Sequence, residues 1–182
     1  METKIKIMET AFRLFADKGT EFSLNEVANE VGIQKASIYA HFTSKEELLY
    51  AIINKEITAY FLEINENCRD LKSMFFMILN YYENSRTKLY FWKRLLLFPP
   101  KAFEDTLVAK ITDLSQQRFE IIKEIIVSNM ENGMIRRQEP EAVTFSYFSM
   151  IHGILSSSII YKPADLTKHY DSLWEIFLNG VK

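Results

Sequence analysis

A single cysteine, Cys68, serves a chain of 182 residues. One thiol cannot close a disulfide within the chain or build a cysteine-based zinc site, so the fold must rest on a packed core. Glycine and proline are also scarce, at five and four residues. Few turns are punctuated, and the elements between them must be long. No charge of one sign dominates: 22 Lys and Arg stand against 24 Asp and Glu, for a net charge of −2. Even residues 1–56 carry seven basic against nine acidic side chains. A basic nucleic-acid-binding domain is excluded, and any such binding must use a local patch. Runs of consecutive apolar residues fall far short of a bilayer's thickness, so no membrane partner is expected. The N-terminal stretch METKIKIMETAFRLF carries charges throughout an amphipathic period, unlike a secretory signal. A cytoplasmic chain is expected.

Catalytic patterns are missing as well. His41, His152, His169 and Cys68 are scattered, without the spacing of metal ligands. No glycine-rich loop is present to cradle a phosphate. The segment HGILSSS sets serines near His152, but no nucleophile elbow and no positioned acid accompany them. Neither an enzyme, a metal site nor a cofactor is expected.

What is present is apolar periodicity. Hydrophobic residues make up 48% of the chain, and they recur at i, i+3, i+4 and i+7 far more than they alternate, which predicts an all-α protein. Helices are expected over residues 2–18, with Ile5, Met8, Ala11, Phe12 and Phe15 on one face, and over 24–31, 34–41 and 45–66. Ser23 with Glu26, and Ser44 with Glu47, have the spacing of capping boxes. Gly19 and Gly32 stand where helix ends require them. Further helices are expected near 71–84, 86–98, 102–132 and 165–180, and one from Pro140 to just before Pro163. Pro99-Pro100 stops the sixth helix, and Gly133 closes the seventh.

The segment IQKASIYAHFTSKEELL, residues 33–49, departs from a normal surface. Ala28, Gly32 and Ile38 have the spacing of a helix-turn-helix, with Ile33, Ile38 and Phe42 turned inward. The opposite face centres on Ala40, flanked by Ala36 and Ser37, with Gln34 and Lys35 at its N-terminal end. Small residues let a backbone enter the major groove, which is about 12 Å wide. Gln34 suits adenine, Lys35 suits guanine, and Tyr39, His41 and Lys45 suit phosphates. The plainer reading is a helical hairpin with alanine on an inert surface. A protein-docking face is a third, and it fits less well with Lys35, Tyr39 and Lys45.

The stretch SLNEVANEVGIQKASIYAHFTSKEELL resembles the DNA-binding segment of TetR-family transcriptional regulators. Val27-Ala28, Gly32-Ile33, Ser37, Ile38-Tyr39, His41-Phe42 and Lys45-Glu46-Glu47-Leu48 carry the resemblance, within residues 5–50. It departs from the family at Ala36 and Ala40, and at Asn25, a position where relatives reach DNA with other side chains. These departures bear on the operator sequence rather than on the fold. The resemblance implies an N-terminal three-helix DNA-binding domain, residues 1–47. A long helix joins it to a ligand-binding and dimerisation domain, residues 48–182.

That second part is rich in aromatic residues. Tyr60, Phe61, Ile64, Phe75, Tyr82, Phe91, Trp92 and His152 are the candidate lining of an effector pocket. Ordinary core is the plainer reading for each of them, and His152 reads first as a buried, satisfied histidine and only second as a hydrogen-bond partner of an effector. Ser149, Gly153 and Ser156 form a small-residue stripe, and Tyr170, Leu173, Trp174 and Phe177 an apolar one. The resemblance implies that the last two helices pair with their copies in a homodimer, whereas internal packing of both stripes is the alternative. The expected protein is a homodimeric repressor on a double-stranded DNA operator, released by a small-molecule effector of lipophilic or aromatic character. The alternative is control by a protein partner, with no small-molecule inducer.

Overall fold

The computed structural model of the chain describes residues 2–67, 70–161 and 166–182, with 63–67 as backbone only. Cys68, Pro163, the expected helix start at residue 165 and the Ile64 side chain lie outside the described residues. Every regular element described is helical. They are α1 (Glu2–Lys18), α2 (Leu24–Val31), α3 (Lys35–Tyr39), α4 (Lys45–Asn67), α5 (Leu71–Glu83), α6 (Arg86–Leu97), α7 (Glu104–Glu131), α8 (Pro140–Ile160) and α9 (Tyr170–Val181). Short 3-10 turns at Gly19–Glu21 and Lys101–Phe103 precede α2 and α7.

Packing groups these elements into two units that do not follow chain order. The first holds residues 1–62 and 85–111, the second 63–84 and 112–182. The boundary expected at residue 47 from motif content falls inside α4 and within the first unit.

In the first unit, α1 buries Ile7, Ala11, Leu14 and Phe15. The sequence reading placed Ile5 on that face, but Ile5 is exposed and Ile7 takes its place. The face is rotated because α1 is covered on more than one side. α2 lies against it, and so does α6, whose Phe91 ring meets Phe12 at 4.6 Å and Phe15 at 5.3 Å. Where α1 ends, Arg94 of α6 donates to the Ala16 and Asp17 carbonyls at 3.3 and 2.7 Å. These are carbonyls that a helix C-terminus leaves without an intrahelical partner.

In the second unit, the Tyr147 hydroxyl donates to the Leu71 carbonyl at 2.8 Å, joining buried parts of α8 and α5. Phe75 packs against Trp174 at 5.6 Å and Tyr170 at 6.5 Å. Arg118 and Thr144 are the polar side chains buried there among the described residues. Runs of consecutive apolar residues are short throughout the chain. Even so α8, a helix of 21 residues, is by length and composition long and apolar enough to cross a membrane. Here its Val143, Tyr147, Ile151, Ile154 and Leu155 form part of the unit's core.

Candidate nucleic-acid interface

The geometry of α2 and α3 follows from local chemistry. The Ser23 hydroxyl accepts from the Glu26 N–H at 3.2 Å, and the Glu26 carboxylate accepts from the Ser23 N–H at 2.7 Å. This reciprocal cap fixes where α2 begins. At its end Gly32 takes φ 77°, in the left-handed region. A residue with a Cβ is strained there, whatever the space around it. The Ile33 N–H then bonds to the Ala28 carbonyl at 3.0 Å and closes the turn. Ala28, Ile38 and Phe42 are buried as expected, while Ile33 is only half-buried, because the turn carries it toward the edge of the helical pair.

α3 is shorter than expected, Lys35–Tyr39 rather than 34–41, since residues 40–43 leave the helix before Ser44 caps the next one. The Ser44 hydroxyl accepts from the Glu47 N–H at 3.1 Å. The Glu47 carboxylate reaches one residue further back than a capping box requires. It accepts from the N–H and hydroxyl of Thr43, both at 2.6 Å, and these bonds hold its pKa below the ordinary carboxylate value.

The outward surface of α3 is the one expected. Gln34, Lys35, Ala36, Ser37, Tyr39 and Ala40 are all exposed, Tyr39 by 49%, and Asn25 of α2 is exposed too. Gln34 occupies the N-cap position of α3 but makes no capping bond with its side chain, so its carboxamide is not committed to the helix. His41 is half-buried at the rim.

Lys45 has partners within the chain that spacing did not indicate. Its ammonium donates to the Thr20 carbonyl at 2.5 Å and lies 4.8 Å from the centre of the Phe22 ring. Both contacts turn it toward the 3-10 segment before α2, and the ammonium keeps two further N–H donors beyond the one given to the carbonyl. A cation the sequence reading missed is Lys4 of α1, whose ammonium stands 5.1 Å from the Phe42 ring centre and helps hold the Glu47 pKa down. No local spacing marks it, because the contact joins residues 38 positions apart.

The candidate pocket residues separate into groups. In the first unit, Tyr60 meets Trp92 at 4.8 Å and Phe61 at 5.2 Å, and Phe91 meets Trp92 at 6.2 Å. In the second, Phe75 joins Tyr170 and Trp174, Tyr82 stands 5.0 Å from Tyr81, and His152 stands 6.5 Å from Phe148. His152 is exposed rather than buried, since it lies on the solvent side of α8.

The candidate dimer residues also divide. Ser149 and Gly153 are exposed, and Ser156, Leu173 and Phe177 are half-buried. Tyr170 and Trp174 are buried within the chain against Phe75. The apolar stripe of α9 therefore packs inward in large part, and the large apolar residue left outside is Ile176, 69% exposed.

Residues 7–52 match the bacterial regulatory proteins of the tetR family. The uncharacterized HTH-type transcriptional regulator YvaF of Bacillus subtilis is 22% identical over 97% of this chain and 94% of its own. Among solved structures, a bacterial regulatory protein in the tetR family from Rhodococcus RHA1 aligns over 100% of this chain and 97% of its own, with a TM-score of 0.75 at 19% identity. AibR, solved in complex with isovaleryl coenzyme A and operator DNA, aligns over 85% of this chain and 86% of its own, with a TM-score of 0.67 at 23% identity. At these identities the solved structures establish a common fold.

Proposed function

From the premise that the chain is a DNA-binding transcriptional regulator of the tetR family, we propose that it works as a homodimeric repressor on a palindromic operator in the cytoplasm. In this reading a small lipophilic or aromatic effector releases it from the DNA. The observation that carries the proposal is the exposed, small-residue face of α3 with Gln34 and Lys35 at its leading end. Such a face admits close approach to base edges, and Ser37 and the alanine methyls can meet bases without steric conflict. Tyr39, His41 and Asn25 surround it as polar contacts, and Lys45 joins them with the ammonium donors that the Thr20 carbonyl does not take.

Two recognition units in a dimer would sit one helical turn apart, about 34–36 Å. Support for a dimer seam comes from the outward side of α8, where Phe145 and Ile160 are 63% and 75% exposed and flank the smaller Ser149 and Gly153. Ile176 of α9 adds a further outward apolar side chain. Sedimentation of an Ile176→Glu variant should show monomers, whereas a folded dimer would place the seam elsewhere.

Support for an effector comes from the aromatic groups around Trp92 and Phe75, and from AibR, which was solved with an acyl-coenzyme A and operator DNA together. Lipophilic carboxylates and their coenzyme A thioesters are therefore the first compounds to try. A second reading, control by a protein partner, is favoured by the exposed run Leu96, Leu97 and Phe98. The deciding experiment selects operator DNA from a random pool and measures affinity against salt. Lys35→Ala should relax the preference at one base of each half-site, whereas Lys45→Ala should weaken all sequences and reduce the salt slope by about one per half-site. Effectors are then titrated with and without the operator, where linkage demands equal and opposite effects on the two affinities. An effector that binds equally well in both cases would sink the induction reading and leave the protein partner.

A further inference from the structure

α7 ends at Glu131, and Gly133, at φ 71°, turns the chain through the left-handed region. The Met134 and Ile135 N–H groups both bond to the Asn129 carbonyl, at 2.8 and 3.1 Å. The connection is then tied to the end of α9. The Arg136 N–H and the Gln138 side-chain amide both donate to the Val181 carbonyl, at 3.0 and 3.3 Å. Together with the start of α5, these segments enclose an open groove of about 1000 Å³ within the second unit. This is at the upper end of the range of small-molecule sites, about 300–1,000 Å³.

The floor of the groove is apolar: Leu71, Met130, Ile135 and Trp174 are buried side chains that line it. Its rim is cationic, with Lys72, Arg136, Arg137 and Lys182 against two carboxylates, Asp70 and Glu131. Asp70 is already engaged. It accepts from the Ser73 N–H at 2.9 Å and from the Ser73 hydroxyl, and these bonds keep its pKa below the ordinary carboxylate value. Arg136 and Arg137 are exposed, and among the described residues neither forms an ion pair.

Two adjacent guanidinium groups at one edge of an apolar groove match a single anionic head group. Each offers paired N–H donors to a carboxylate or phosphate. An acidic helix would instead need cations spaced along the groove at helical intervals, because its carboxylates on one face stand three or four residues apart. We infer that this groove is a ligand site for an anionic amphiphile, a molecule with an extended apolar body ended by a carboxylate or phosphate. Arg136 and Arg137 hold the head, and Met130, Ile135 and Trp174 receive the body. Occupancy of this groove does not depend on whether any effector releases DNA.

The chain contains two tryptophans, so Trp92→Phe in the full chain leaves Trp174 as the only indole reporter. Dodecanoate, dodecyl phosphate and dodecanol are titrated below their micelle concentrations. Calorimetry on the unmodified chain repeats the measurement in case the reporter variant fails to fold. Dodecanoate or dodecyl phosphate should bind saturably, and the tighter of the two identifies the head group preferred. Dodecanol, with the same body and no charge, should bind at least tenfold more weakly. Replacing both exposed arginines, Arg136→Ala with Arg137→Ala, should lower anion affinity at least tenfold and leave dodecanol unchanged. Equal affinity for dodecanol and the better anion, full anion affinity in the double variant, or no saturable binding of either anion would each overturn the assignment.

Discussion

The α2–α3 pair of the first unit and the α8 and α9 helices of the second are held by contacts of very different range. In α2–α3 the decisive bonds join residues a few positions apart: Ser23 with Glu26, and Ile33 with Ala28. In α8–α9 the partners are distant in the chain. Tyr147 bonds to Leu71, 76 residues away, and Trp174 packs on Phe75. The first pair should therefore respond to substitutions that disturb backbone geometry or caps, and the second to substitutions that remove buried volume.

The largest effect expected is from Trp174→Ala. The side chain is 4% exposed, and deleting it leaves a cavity beside Phe75 and Phe177. A loss of about 3–5 kcal/mol is expected, measured by denaturant unfolding, and it should be the same at low and high protein concentration. A deficit that shrinks as concentration rises would return Trp174 to a subunit interface.

Gly32→Ala comes next. Nothing lies within 4 Å of an added Cβ, so the cost is the left-handed backbone alone, about 1–2 kcal/mol. Gly133, at φ 71° with equally open surroundings in the second unit, should lose about the same on the same substitution. A much greater loss at Gly32 would show that the turn between α2 and α3 carries contacts beyond backbone geometry.

Ser23→Ala removes one half of the capping box and should cost about 1 kcal/mol, read as earlier amide exchange in α2. Tyr147→Phe is its counterpart in the second unit. It removes a buried hydrogen bond to the Leu71 carbonyl, which keeps its place in the α5 ladder, and its loss should be at least as large, about 1–1.5 kcal/mol. If Ser23→Ala proved the more damaging, the division between local and distant stabilisation would fail.

The smallest effect is electrostatic. The Lys18 ammonium, first, and then the N–H and hydroxyl of Ser23 hold the Glu26 carboxyl at about 2. A carboxyl depressed in this way contributes stability that is present above its ordinary value of 4.5 and is lost as pH falls toward 2. Thermal melts of Glu26→Gln should therefore show a shallower decline than the parent chain across that acid range, and no new dependence near neutrality. An unchanged acid profile would remove the Lys18–Glu26 pair from the stabilising contacts of the first unit.

Legibility in the sequence follows the same division. Ser23, Glu26, Gly32 and Ala28 announce their roles through spacing, and α2 spans residues 24–31 as read. The exposed face Gln34–Ser37, Tyr39 and Ala40 was legible because Ile38 and Phe42 fix the buried side opposite it. The direction of Lys45 was not legible. Its partners, the Thr20 carbonyl and the Phe22 ring, belong to a segment more than 20 residues earlier, and spacing within α4 carries no record of them. The rotated face of α1 was hidden for a related reason. Periodicity finds one stripe, whereas α1 is covered both by α2 and by Phe91 of α6.

The sequence by itself determined the helical class, the limits of most helices and the chemistry presented at the tip of α3. Those properties depend on caps, left-handed glycines and apolar period, all of which act within one or two turns of chain. Tertiary structure decided which apolar stripes face inward. It buried Tyr170 and Trp174 against Phe75, left Ile176 outside, divided the aromatic residues between two units, and brought Arg136 and Arg137 to the rim of a groove floored by residues of α5, α7 and α9. An amphipathic pattern states that a face will be covered. The identity of what covers it depends on close packing among segments that meet only once the chain has folded.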